Sequence, residues 1–392
     1  PSGGRINRGR PLEFFFNNRR YEGFEGDTLA SGLLANGIRL FGRSFKYHRP
    51  RGLFGSGSEE PNAIVQLGEG ASTIPNLKAT QVELFDGLSA RTVVGWPSLE
   101  IDLYAINNRI GGLLPAGFYY KTFMRPRFLW DWYEGHIRRA AGLGYAPTEP
   151  DSDRYDKRNA HCDVLVVGAG PAGLMAALAA GRSGARVIVA DEQAEMGGDL
   201  LSSKQHVSGT CPGVFLDSLL KELSLMDNVT LLPRSTVSGY YDHNFLVINQ
   251  RRTDHQGSIG NSVSRERNWR VRAREVVLAT GAIERGLVFS DNDRPGIMLS
   301  SAVRTYINRY AVRPGRTGAV FTNNDSAYQT AVEMHGVGME VKGVIDVRQR
   351  PSQERLLQMD ALGIPVYSGH GVGGTRSSRQ GLRAVELCRL SV

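Results

Sequence analysis

Residues 163–198 read DVLVVGAGPAGLMAALAAGRSGARVIVADEQAEMGG, and no other stretch limits the fold as tightly. Val164-Leu165-Val166-Val167 is continuously apolar, as a parallel strand buried on both faces must be. Glycines then fall at GxGxxG spacing. Gly168 permits the tight turn, Gly170 lets a pyrophosphate approach the backbone, and Gly173 lets the next helix pack closely on the sheet. The unpaired N–H groups at that helix start would face the phosphates. A second apolar strand, 187–189, runs to Asp191, 23 residues after Gly168. A carboxylate there can accept hydrogen bonds from both ribose hydroxyls and repels a 2′-phosphate. The segment predicts a site for an ADP-containing cofactor.

Two further features narrow the class. Gly197 and Gly198 lie six and seven residues past Asp191, and the apolar run Val276-Val277-Leu278 ends in the small-residue turn Ala279-Thr280-Gly281. In both respects the segment resembles the two-dinucleotide-domain flavoproteins, with Rossmann-like FAD/NAD(P)-binding folds. In that superfamily the first fold usually holds FAD, so the motif alone leaves FAD and NAD open.

The bulk numbers bound the rest. At 392 residues the chain has room for two or three domains. The formal charge of +8 comes from 47 basic against 39 acidic residues. Much of it sits near the start, at Arg5, Arg8, Arg10, Arg19, Arg20, Arg43, Lys46, Arg49 and Arg51. No nucleic-acid reader motif accompanies this basic region, so an interface or a solvated surface is the favoured reading. Cys162, Cys211 and Cys388 are far apart with no CxxC pair, which points to a reducing compartment and excludes a four-cysteine iron–sulfur cluster within the chain. No run approaches the ~20 apolar residues of a membrane span, and the arginine-rich start has no signal-peptide core. The cytoplasm is the expected location. Pro1 in place of Met, and a strand-like run at 384–390 with almost nothing after it, suggest a piece of a longer protein.

The expected fold class is α/β, with a β-grasp unit at 1–100, a connecting segment at 101–160, and dinucleotide-binding folds over 161–392. In the first unit, Leu12-Glu13-Phe14-Phe15-Phe16 reads as a strand and Asn17-Asn18 as a turn. Asp27 is the expected N-cap of a helix over 28–36 that Gly37 ends. Together with EGFEGDTLASGLLANGI, this order resembles the β-grasp ferredoxin domain of some oxidase and dehydrogenase alpha subunits. In those domains cysteines spaced CxxxxCxxC follow a segment like Phe45-Lys46-Tyr47-His48-Arg49-Pro50-Arg51-Gly52. Here the three positions fall on Gly55, Glu60 and Ala63, so the resemblance is to a ferredoxin scaffold without its metal. Residues 147–160 are polar and read as a linker. The aromatic run at 115–124 is read as core or interface, with a place beside a flavin as the alternative.

Past Gly281, helical periodicity runs through Val303, Tyr306, Ile307 and Tyr310, and strands are expected at 318–321 and 340–346. The turn Thr322-Asn323-Asn324-Asp325-Ser326-Ala327 has no glycine and carries a carboxylate where a pyrophosphate would lie. The second fold is therefore expected to lack a nucleotide.

FGRSFKYHRPRGL, PAGFYYKTFM, IRRAAGLG, VGAGPAGL and ATGAIERGLVF together give the whole chain a resemblance to the alpha subunit of heterotetrameric sarcosine oxidase. That family implies an oxidoreductase acting on CH–NH groups. It implies sarcosine oxidation at FAD on a beta subunit, FMN at the alpha–beta interface, and NAD in the alpha-subunit site. Gamma and delta subunits complete the assembly, and tetrahydrofolate is served by a C-terminal domain that this sequence lacks. Carried over by motif, Gly168, Gly170, Ala172 and Gly173 surround the pyrophosphate. Asp191, Glu192 and Gln193 lie near the adenosine ribose, and Val237 offers its backbone to adenine. The alternatives are a self-contained FAD-dependent pyridine-nucleotide oxidoreductase, or the alpha subunit of an opine or proline oxidase or dehydrogenase. His48, His136, His206 and His335 are isolated in sequence, Cys211 has no second thiol nearby, and no metal-ligand spacing appears. No catalytic residue is assigned.

Overall fold

The computed structural model describes residues 3–113, 117, 123, 125–257, 263–378 and 381–391. The chain divides into two compact units. One joins Ile6–Pro150 to Glu284–Val392, and the other is Asp151–Ile283 with Gly3–Arg5. This differs from the expected division at 1–100, 101–160 and 161–392, and the reason lies in a shared core described below.

In the first unit, β1 (Asn7–Phe16) and β2 (Arg19–Glu25) form a hairpin whose turn residues Asn17 and Asn18 both take positive φ, as a tight two-residue hairpin turn requires. Helix α1 (Leu29–Ala35) follows. Its cap is Thr28, one residue later than expected. Thr28 Oγ1 accepts the Ser31 N–H and Ser31 Oγ accepts the Thr28 N–H, a reciprocal capping box. Asp27 instead takes the Ser31 hydroxyl at 2.6 Å and the Phe24 N–H at 3.1 Å, bracing the box from outside. After a short pair, β3 (Gly42–Arg43) with β4 (Pro50–Arg51), come β5 (Ile64–Leu67), β6 (Ile74–Lys78) and β7 (Leu88–Arg91). The sheet order β2-β1-β7-β5-β6, with β1 and β7 parallel, is a β-grasp. Helix α2 (Trp130–Ala141) ends at Gly142, whose φ of +74° closes it.

The second unit holds β8 (Tyr155–Val167), α3 (Pro171–Arg182), β9 (Val187–Ala190), α4 (Pro212–Ser224), β10 (Val229–Leu232), β11 (Ser235–Tyr241), β12 (Phe245–Arg251) and β13 (Glu266–Leu278). Its sheet order is β10-β9-β8-β13-β12-β11, parallel from β10 to β13 and antiparallel beyond. The expected linker ends early, because 155–160 is the first half of β8. That half is polar because it lies largely in solvent beside β13, with Arg267 bound to Asp156 at 2.8 Å. Val166, Ala169, Leu174, Val189 and Leu216 fill the core between the sheet and α3 and α4.

The chain then returns to the first unit with α5 (Ser300–Asn308), β14 (Thr317–Thr322), α6 (Tyr328–Gly336), β15 (Glu340–Asp346), α7 (Gln353–Ala361), β16 (Val366–Ser368), β17 (His370–Ser378) and β18 (Gly381–Arg389). Strands β14, β15 and β16 form a parallel sheet, and β17–β18 is a hairpin. Leu299, Ala302, Tyr306, Tyr310 and Val312 are buried in one cluster with Phe14, Leu29, Leu33, Phe41 and Val65 of the β-grasp. This common core is why 284–392 groups with 6–150. Among the described residues, no helix is long and apolar enough to cross a membrane.

Candidate functional site

The glycine turn lies at the C-terminal end of β8, where the chain leaves to one side through α3 to β9 while β13 lies on the other. Open α/β sheets bind ligands at such a switch point. Gly168 has φ +95°, its N–H reaches the Ala190 carbonyl at 2.8 Å, and a side chain there would overlap the Ala279 carbonyl. Ala279 in turn donates to Val167 at 2.8 Å, so its turn is seated against the first glycine. Gly173 is needed because a Cβ would overlap the Gly168 carbonyl oxygen. Gly170 is the N-cap of α3, with Pro171 at the first helical position, and a Cβ on it would meet nothing within 4 Å. Two of the three motif glycines are thus required by packing, whereas the space over Gly170 is open. Ala172 is exposed in the first turn of α3, as are Thr280 and Gly281 beyond β13.

Asp191, 8% exposed, is committed to the backbone. Its Oδ2 accepts the Ala169 N–H at 2.6 Å and its Oδ1 the Gln193 N–H at 2.8 Å. Glu192 and Gln193 are half-buried, and their carbonyls accept Arg251 Nη2 at 3.2 Å and the Arg234 N–H at 2.9 Å. Val237 lies beyond the end of β10 at Leu232. The chain breaks at Arg234, with φ +54°, and Val237 belongs to β11, paired with Ile248. Two residues before it, Ser235 donates to the Asp191 carbonyl at 2.6 Å, which holds β11 beside the carboxylate. Gly197 and Gly198 complete the floor. Gly197 donates to Ala169 at 2.9 Å, and a Cβ on Gly198 would lie 2.8 Å from Gly170 Cα. The sequence marked this pair only as a family feature; their work is to let 197–198 lie against the glycine turn.

In the second strand–turn–helix, Arg348 binds Asp325 and Asp346 at 2.7 Å each, and the Tyr328 hydroxyl donates to Asp346 at 2.9 Å. The Arg348 hydrogen bond holds the Asp325 carboxyl below its ordinary range. Turn, helix start and second strand end are therefore joined to one another.

Sequence reasoning missed one buried constellation. His48 Nδ1 lies 2.7 Å from Asp102 Oδ2, both fully buried, with Arg43 Nε 3.5 Å from the same oxygen. The partners are 54 residues apart, so no local spacing betrays them. His206 lies 3.6 Å from Cys211 Sγ, and the His136 ring lies 4.3 Å from that of Trp132, tilted by 41°. Among the described residues no group of three or more His, Cys, Asp or Glu is placed to hold a metal. Of the aromatic run 115–124, all positions but 117 and 123 lie outside the described residues.

Comparison with known proteins places these two parts. Residues 9–95 match a family described as a 2Fe-2S iron-sulfur cluster binding domain, and 163–275 match FAD dependent oxidoreductases. The fold also resembles that of L-proline dehydrogenase from P. horikoshii, with a TM-score of 0.58 and 19% identity over 98% of this chain and 59% of that one. Fold and glycine turn together define a ferredoxin-like domain joined to a dinucleotide-binding fold of the FAD-dependent oxidoreductase type. Within that class the chain is a homologue of sarcosine oxidase alpha subunits. It is 51% identical to that of Rhizobium meliloti (strain 1021) over 89% of its length and 40% identical to that of Corynebacterium sp. (strain U-96) over 99%. It spans 35% and 36% of the length of these two curated relatives. An opine oxidase component of Agrobacterium tumefaciens (strain Ach5) is 28% identical over 54% of this chain and 42% of that one.

The first family description implies a 2Fe-2S cluster, and the residues do not fit it. No cysteine lies between 9 and 95, and the three positions expected for ligands hold Gly55, Glu60 and Ala63.

Proposed function

We propose that this chain is the NAD-holding part of a heteromeric sarcosine oxidase alpha subunit. The open space over Gly170, on a turn that is otherwise closely packed, carries this reading. Gly168, Gly170, Ala172 and Gly173 would hold the pyrophosphate at the start of α3. A carboxylate offers about four acceptor positions, so Asp191 keeps capacity for a ribose hydroxyl beyond its two backbone donors. Glu192 and Gln193 extend that edge, Val237 faces the adenine, and Ala279, Thr280 and Gly281 border the pyrophosphate turn. The joined side chains of Arg348, Asp325 and Asp346 argue for one nucleotide per chain.

In the assembled enzyme, with beta, gamma and delta subunits, sarcosine would be demethylated oxidatively to glycine, with hydrogen peroxide and either formaldehyde or 5,10-methylenetetrahydrofolate as products. The beta subunit would carry FAD, with FMN at its interface with this chain. The cytoplasm is the proposed location. One observation favours a second reading: the match of 163–275 to FAD dependent oxidoreductases suits FAD in the same site. Releasing the bound nucleotide from purified protein and weighing it by mass spectrometry separates the two. A mass of NAD supports the first, and FAD overturns it.

A further inference from the structure

The loop that would wrap a cluster is built around a side chain instead. Glu60 is fully buried. Its Oε2 accepts the N–H groups of Phe54 and Gly55 at 2.7 Å each, and its Oε1 those of Asn62 at 2.7 Å and Ala63 at 3.2 Å. The neighbouring Glu59 Oε1 takes the N–H groups of Ser56 at 2.6 Å and Gly57 at 3.0 Å. Six backbone donors thus converge on two carboxylates. The loop's carbonyls are engaged from outside: Gly57 by Thr80 Oγ1 at 2.7 Å, Ser58 by Lys78 Nζ, and Gly55 by the hydroxyl of buried Tyr306 on α5 at 3.1 Å.

Two of the three expected ligand positions, Gly55 and Ala63, donate their amides to the carboxylate of the third. Iron–sulfur clusters held by thiolates accept hydrogen bonds at sulfur from the surrounding protein. Backbone N–H groups in a concave loop also favour an anion. A buried carboxylate provides an acceptor for the same donors without metal. A side chain at 55 would also displace Glu59, since a Cβ there would lie 2.5 Å from Glu59 Oε1.

We propose that Glu60, assisted by Glu59, is an internal substitute for the 2Fe-2S cluster, an organic anion that orders the β-grasp loop and presents Gly55 to Tyr306. This part of the chain is then an ordered, redox-silent module.

The test uses the whole chain, purified without oxygen and then offered ferrous iron and sulfide. Hydrogen exchange is read at Phe54, Gly55, Asn62 and Ala63 in the wild type, Glu60→Ala and Glu60→Gln. The expected result is no stoichiometric iron, no cluster absorption, and exchange at those four amides faster by about tenfold or more in Glu60→Ala, as loss of a charged acceptor implies. In Glu60→Gln, one pair of donors would face an amide NH2, so one pair should be released and the other retained. Amides of β8 and β13 should be unchanged in both. Stoichiometric iron with sulfide would overturn the proposal, as would undiminished protection of the four amides in Glu60→Ala. If Glu60→Ala does not fold, undiminished protection of both pairs in Glu60→Gln overturns it equally.

Discussion

The Asp191 carboxylate accepts the Ala169 backbone N–H at 2.6 Å, so one side chain clamps the end of β9 to the glycine turn after β8. Removing it with Asp191→Ala strips acceptors from two backbone amides, and a hydrogen bond to a charged group is worth about 1.5–3 kcal/mol. Urea unfolding should show a loss of at least that size, and titration calorimetry should show weaker NAD binding. Full affinity with an intact dichroism spectrum would remove Asp191 from the site.

The glycines of one motif should separate by consequence. Gly170→Val has room for its side chain and an ordinary φ of −71°, so the chain should fold while its nucleotide occupancy collapses. Gly173→Ala meets the Gly168 carbonyl and should destabilise by about 1–3 kcal/mol or more, as overpacking does. Normal occupancy in the valine variant contradicts the assigned register.

Thiol chemistry should sort the three cysteines. Burial pushes the Cys162 thiol up to about 11, whereas Cys211 and Cys388 are exposed. Only the thiolate reacts, so at pH 8 a maleimide should label Cys211 and Cys388 and spare Cys162 until urea is added. Peptide mass mapping reads the result, and early labelling of Cys162 would refute its burial.

Acid titration tests the Glu60 loop independently. Burial lifts the Glu60 carboxyl above the ordinary value of 4.5, outweighing the four N–H donors that lower it. The folded chain therefore binds this proton more tightly than the unfolded chain. The pH-dependent part of its contribution is fully present below 4.5 and is lost as pH rises through the folded value, which leaves the ionised carboxylate on its four N–H donors. Unfolding midpoints measured upward from pH 4 should fall less steeply in Glu60→Ala than in the wild type. Glu59, Lys78 and Tyr306 bind the same loop and remain in both proteins. Parallel profiles would show that folding leaves the proton affinity of Glu60 unshifted.

The chain by itself should yield no sarcosine-dependent peroxide, and co-expression with a beta subunit should restore it. Turnover by the purified chain alone, with FAD bound, establishes the self-contained flavoenzyme.

The sequence revealed most where chemistry is local. Strand, glycine spacing and second strand lie within 163–191, and the packing roles of Gly168 and Gly173 follow from their neighbours. The first residue of α1 was missed by one because Asp27 and Thr28 are both good caps, and only the Ser31 geometry decides between them. The early start of β8 was hidden because its first half is polar and largely exposed. Periodicity identified α5 as a helix but could not say which sheet its apolar face would join, and His48 and Asp102 meet only through the fold.

That choice of partner by α5 has a consequence during synthesis. Strands β1 to β7 leave the ribosome long before Leu299, Tyr306 and Val312, which complete their core. The intervening 151–283 holds a sheet and core of its own, and domains generally fold as units as the chain emerges. The middle of this protein can therefore close first. Its beginning is completed only when Leu299 and Tyr306 arrive beside Phe54 and Gly55, and truncation before residue 299 would leave that part of its core a substrate for chaperones and proteases.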